Sequence, residues 1–203
     1  MATRRSFLQT AASLSLTLTF RRVFFAESAP NTLHEFGYGD VRLSPGLAHR
    51  QFEQTQTVLM GLDEDSLLKP WRLRAGLPAP GRDLGGWYDE VPPIPTPSSG
   101  HGYAPAHSFG QWMGALARGY AITGDSRTRA KVKRLVELYD KAISPKFYRD
   151  FRYPAYNYDK MVLGLVDAYR LAKIPQALGV LDRTTDAALP SLPPQALLSL
   201  IHI

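Results

Sequence analysis

With 203 residues, 44% hydrophobic and 11% aromatic, the chain holds enough apolar material for one globular core and too little for two. Charged residues make up 21% and cysteine is absent, which excludes a disordered chain, disulfide frameworks, thiolate metal sites and cysteine nucleophiles. Half of the net charge of +6 comes from Arg4, Arg5, Arg21 and Arg22 against Glu27, so the charge does not define a nucleic-acid binder.

The chain opens on an address. A short charged start precedes an apolar stretch from Ala11 to Phe20 without acids, and small residues follow at Ala26, Ser28 and Ala29. The stretch is shorter than the roughly 20 apolar residues that span a bilayer. Thr3-Arg4-Arg5-Ser6-Phe7-Leu8-Gln9 resembles a twin-arginine signal. Residues 1–28 are therefore expected to direct export, and to be removed. The mature protein is then periplasmic or extracellular and holds no membrane, and residues 29–39 form a linker before a domain over 40–203.

Ser44-Pro45 reads as an N-cap and first-turn proline, followed by Ala48, Phe52, Thr55, Leu59 and Leu62 at helical spacing. Asp63 is predicted to cap a short second turn through Leu67 and Leu68, which Pro70 stops. From Pro70 to Ala106 repeated prolines and glycines punctuate the chain, with Trp71, Trp87, Tyr88 and Tyr103 among them. A loop of that length lines a site or is a disordered insertion. The aromatic residues favour a site around Trp87, while Val91 to Ser99 reads as a proline-rich excursion.

Helical periodicity resumes at Phe109, Trp112, Met113, Leu116 and Tyr120, and Gly124 supplies a left-handed stop. Asp125 caps the next helix, whose apolar face is Val132, Leu135, Val136, Tyr139 and Ile143. The Lys and Arg residues from Arg127 to Arg134 fall on its other face with no aromatic between them, as a solvated helix presents them. A second hairpin opens at Asn157 or Tyr158, runs through Met161, Val162, Leu165, Val166 and Tyr169, and returns from Pro175 through Leu178, Leu181 and Thr185. No alternating strand pattern competes.

The two hairpins share an asymmetry: the leading helix of each is apolar or small nearly all round, as in Gly110, Gly114, Ala115, Ala117, Gly119 and Ala121, and the trailing helix is one-sided. All-round apolar helices are buried and one-sided helices face solvent, so the pattern predicts an inner and an outer ring, an all-α barrel. A solenoid of helical repeats is the alternative. The hairpin starts near His107 and Asn157 lie about fifty residues apart without sequence identity, which weakens it.

Several phrases, in this order, resemble glycoside hydrolase family 127, the bacterial β-L-arabinofuranosidases. They are Asp40-Val41-Arg42-Leu43-Ser44-Pro45-Gly46, Leu62-Asp63-Glu64-Asp65-Ser66-Leu67-Leu68, Arg74-Ala75-Gly76-Leu77-Pro78 and Gly85-Gly86-Trp87. His107-Ser108-Phe109-Gly110-Gln111-Trp112-Met113-Gly114-Ala115-Leu116-Ala117 stands where members carry a His-containing inner helix, and Tyr158 to Tyr169 resembles another. The likeness covers residues 40 to about 190.

The resemblance implies an (α/α)6 barrel followed by β-sandwich domains, and retaining hydrolysis of terminal β-L-arabinofuranosyl groups of plant-type glycans. Members use a zinc-bound cysteine thiolate as nucleophile, further thiolates and a glutamate as zinc ligands, and a second glutamate as acid/base, all downstream of the matched region. No catalytic residue or metal ligand is therefore assigned here, and zinc is implied only for full-length members. The expectation is an incomplete (α/α)6 toroid, a truncated fragment whose natural C-terminus is not Ile203. Two departures stand out: Asp159-Lys160 occupies the place of a common His-Lys pair, and Val91 to Ser99 looks inserted.

In such barrels the sugar binds where the inner helices begin, because loops converge there and helix N-termini point in. The candidate carbohydrate contacts are Trp87, His107, Gln111, Asn157, Asp159 and Lys160. They combine an aromatic face for the C–H side of a sugar with planar polar groups for its hydroxyls. Simpler roles compete: a helix-cap histidine at His107, core for Trp87, and a first-turn acid beside a surface lysine at Asp159-Lys160. Asp89-Glu90 diverge as neighbours and do not form a glycosidase pair, and His101, His107 and Asp159 lack metal-site spacing. The leading reading is a glycosidase fragment with a carbohydrate partner; a non-catalytic carbohydrate-binding or scaffold module is the alternative. A third reading keeps the barrel with uronic-acid hydrolase or lyase chemistry.

Overall fold

The computed structural model describes residues 35–89, 105–149 and 153–193. The chain divides into two units, Met1–Phe36 and Gly37–Ile203, and every described helix belongs to the second. The export signal over 1–28, Glu90, the Val91 to Ser99 stretch, His101 and Tyr103 lie outside the described residues.

After a 3-10 turn at Tyr38–Asp40 come α1 (Leu47–Gly61), α2 (Glu64–Ala75), α3 (Ser108–Thr123), α4 (Ser126–Asp140), the short α5 (Pro145–Arg149), α6 (Pro154–Arg170) and α7 (Gln176–Ala188). No strand occurs among the described residues. The helix starts differ from the sequence expectation in two places. Ser44 and Pro45 precede α1, which begins after Gly46 because Pro45-Gly46 makes a turn. Pro154 opens α6 at its first position, three residues ahead of Asn157.

The larger correction is at Pro70. It does not stop the second helix, which runs on to Ala75 and ends at Gly76, φ 73, with the Gly76 N–H bonded to Leu73 O and the Leu77 N–H to Arg72 O. A proline in a helix forfeits one backbone bond. Here the next residue offsets that loss: Trp71 is buried, stacked on Phe147 at a centroid distance of 3.5 Å and edge-on to Tyr139 at 4.9 Å. Arg72 also reaches back to Asp65 Oδ1 at 2.5 Å. The long loop therefore begins at Gly76, and Trp71 belongs to the core.

The helices form two layers of parallel neighbours. In the first, Gly110 of α3 abuts Lys160 and Met161 of α6, and eight residues further on Arg118 pairs with Asp167 at 2.9 Å, so α3 and α6 run the same way. Gln56 of α1 lies against Gly119, and Met60 with Thr123 line one groove, which places α1 parallel to α3 on its other side. In the second layer Glu64 pairs with Arg134 and Trp71 meets Tyr139, making α2 parallel to α4. Arg129 donates to Ala172 O and Lys173 O at 3.0 and 2.9 Å just before α7, and Arg183 meets Asp140 at 2.8 Å further along, making α7 parallel to α4.

Tight turns at Gly124-Asp125 and Lys173 reverse the chain between layers. The result is three inner–outer pairs, α1/α2, α3/α4 and α6/α7, an arc of an (α/α)6 toroid. Between the layers lie Phe109, Met113, Leu116, Val132, Leu135, Val136, Tyr139, Met161, Leu165 and Val180, each at most 1% exposed.

The basic run of α4 is engaged inside this frame. Lys131 Nζ donates to Met60 O (2.8 Å) and Leu62 O (2.6 Å), capping the C-terminus of α1, while burial lowers the proton affinity of its ammonium. Arg129 caps the end of α6 in the same way, and Arg127, Lys133 and Arg134 pair with Asp125, Glu137 and Glu64.

Candidate functional site

The parallel inner helices α3 and α6 begin side by side, and the loop from Gly76 returns to the chain there. Gly85 and Gly86 take φ of 86° and 61°, a left-handed pair that side-chain-bearing residues rarely adopt. The sharp turn sends Trp87 outward, 55% exposed, and Tyr88 inward. The Tyr88 ring stacks on Trp112 at 5.1 Å and its hydroxyl donates to Leu67 O. Burial, with the neighbouring Asp89, pushes that hydroxyl well above its ordinary pKa. Asp89 Oδ2 accepts from the Gly85 N–H, and its buried Oδ1 has no partner. Asp89 thus closes its own turn and presents no carboxylate to solvent.

His107 precedes α3 with helical backbone angles and makes no side-chain capping bond. Its ring lies 6.0 Å from that of Tyr156, at 30°, and its Nε2 is 3.0 Å from Ser108 Oγ. Lys160, one turn along α6, holds its Nζ 4.9 Å from the centre of the same Tyr156 ring and 2.9 Å from Asp159 Oδ2. Asp159 is 70% exposed at its side chain, and Gln111 is exposed one turn along α3.

The structure therefore brings His107 and Lys160 to the ring of Tyr156, a residue that sequence reading missed, with Asp159 paired to Lys160. Its signal was available: Tyr156 and Lys160 stand four apart on one helix face, and placing the helix start at Asn157 hid it. Asn157, expected among the sugar contacts, is 2% exposed and donates from Nδ2 to Pro105 O at 2.7 Å. Trp87 stands one residue from Tyr88, which itself packs on the first turns of α3.

The first turns of α6 present the Tyr156 ring with the Lys160 ammonium and the Asp159 carboxylate in contact, and the first turn of α3 presents the exposed Gln111 amide. Such a set exchanges hydrogen bonds with several hydroxyls of one neutral ligand. Among the described residues no group of three or more His, Cys, Asp or Glu is placed to hold a metal.

A two-layer all-α toroid with loops gathered at the starts of its inner helices is the catalytic-domain fold of α/α-barrel glycoside hydrolases. A family model described as Beta-L-arabinofuranosidase, GH127 catalytic domain, matches residues 40–193, and the chain belongs to that family. No curated protein and no solved structure matches it. The thiolate zinc centre that the resemblance implies does not fit these residues, because the sequence contains no cysteine.

Proposed function

We propose that the mouth at the starts of α3 and α6 binds a terminal β-L-arabinofuranosyl or closely related sugar of a plant-type glycan, outside the cytoplasm. The observation that supports this reading is the meeting of His107 and Lys160 at the Tyr156 ring, with Asp159 paired to Lys160, in a chain of this family. Tyr156 and the exposed Trp87 offer ring faces to C–H groups, while Gln111, Asp159, Lys160 and His107 exchange hydrogen bonds with hydroxyls.

Hydrolysis by this 203-residue chain is not part of the proposal, since a family-type thiolate nucleophile is missing from its sequence. The same observation favours the second reading, a carbohydrate-binding module without turnover.

Titrating the chain with methyl β-L-arabinofuranoside tests the site. Binding is expected, and Lys160→Met should weaken it about ten-fold, as loss of one charged hydrogen bond does. Equal affinity in Lys160→Met, or no binding by the unaltered chain, refutes the site. Release of arabinose from an aryl arabinofuranoside, with or without zinc, would refute the reading that the chain does not turn over. Export is tested by replacing Arg4 and Arg5 with lysine, which should hold the precursor in the cytoplasm.

A further inference from the structure

The first turn of α6 grips the chain on both sides of Ala106. Asn157 Nδ2 donates to Pro105 O at 2.7 Å, and Tyr156, one residue earlier, lies against the ring of His107 at 6.0 Å. The N–H of the same peptide unit, that of Ala106, donates to Tyr88 O at 2.8 Å. Both polar groups of the Pro105–Ala106 peptide are thus held, each by a segment distant in sequence.

Ala106 itself is buried with φ 58, in the left-handed region where an L side chain is strained. A residue other than glycine stays there only when its surroundings over-determine it. His107 follows directly, so the backbone angles of Ala106 set the direction in which the His107 ring leaves the chain.

We infer that Asn157 is a positioning residue: through the Pro105 carbonyl it holds Ala106 left-handed and so directs the His107 ring toward Tyr156 on the first turn of α6. At 2% exposure Asn157 meets no ligand arriving from solvent. Its Nδ2 gives the buried Pro105 carbonyl its partner, while its own Oδ1 is buried without one. The consequence for ligand binding rests on the reading of this mouth as a sugar site; the consequence for His107 does not.

The test uses the full 203-residue chain with ring-labelled histidine, the His107 signals being assigned by their loss in His107→Gln. Asn157→Leu keeps about the same volume and removes the donor without adding a charge. It is expected to shift and broaden the His107 ring signals and to weaken methyl β-L-arabinofuranoside binding about five-fold, the worth of one neutral hydrogen bond. Thr184→Val, in the core of α7, serves as a destabilised control and should lower the melting temperature without moving those signals. Unmoved His107 signals in folded Asn157→Leu, or equal movement in Thr184→Val, overturn the inference.

Should Asn157→Leu not fold, Ala106→Gly decides. Glycine accepts the left-handed angles but also others, so the His107 signals should broaden in a folded chain, and unbroadened signals overturn the inference. If the unaltered chain binds no sugar while Asn157→Leu still moves His107, the sugar reading fails and the positioning role stands.

Discussion

Asp63 and Asp125 each sit just before a helix, accepting hydrogen bonds that free helix N–H groups would otherwise lack. The Asp63 carboxylate takes its bonds from the side chain and backbone N–H of Ser66, and Asp125 from the Thr128 hydroxyl and the Arg127 N–H; both pKa values are lowered from the ordinary 3.8 by these bonds. A carboxyl with a depressed folded-state pKa binds fewer protons folded than unfolded. Its stabilisation is complete above the unfolded value and is lost as pH falls through the folded one. Melting temperature should therefore fall as pH drops below about 4. Replacing both with asparagine, which caps without titrating, should flatten that fall while leaving the neutral-pH melt nearly unchanged. Identical acid profiles for the two proteins would show that other groups control the transition. At neutral pH Asp63→Ala should cost about 1 kcal/mol of stability, read by urea melts.

At the level of elements, the contact between α3 and α6 is made by backbone. A Cβ built on Gly110 would stand 2.0 Å from Lys160 O, and one on Gly164 would stand 2.3 Å from Gly110 O. Gly110→Ala or Gly164→Ala should force the helices apart and cost about 2–3 kcal/mol or more. A Cβ built on Gly179, within α7, would meet only the flexible Arg183 Nη1, at 3.6 Å. There alanine should instead gain about 0.5–1 kcal/mol from helix propensity. Urea melts that rank Gly110→Ala no lower than Gly179→Ala would contradict this packing. The glycines also mark how far sequence reaches. The hairpins, the Gly124 stop and the Asp125 cap were legible because they are local. So was the two-ring pattern, although the small residues of α3 serve a close helix crossing as well as burial. Pro70 misled, since a local rule was overridden by the burial of Trp71 among aromatic rings contributed from elsewhere in the chain. The burial of Asn157 and the left-handed Ala106 were illegible for the same reason: both arise from a loop whose two ends meet across the chain, and neither residue type announces it.

Across the whole molecule the three inner helices have unequal neighbours. Helix α3 lies between α1 and α6, while α1 and α6 each have α3 alone as an inner neighbour among the described residues. Their outer flanks carry apolar side chains in solvent: Val58 is 65% exposed on α1, and Leu163 and Tyr169 are 43% and 40% exposed on α6. Apolar side chains exposed on helix flanks that lack an inner neighbour offer places for association or dye uptake. The 203-residue chain is therefore expected to bind an apolar-surface dye and to sediment with increasing mass as concentration rises. Val58→Lys with Leu163→Lys should suppress both effects and change folding stability by no more than about 0.5 kcal/mol, because each site is exposed and outside the core. A loss of several kcal/mol in that double variant would mean that the flanks are packed and not open. A chain that stays monomeric and takes up no dye would mean that the arc shields its edges by another route.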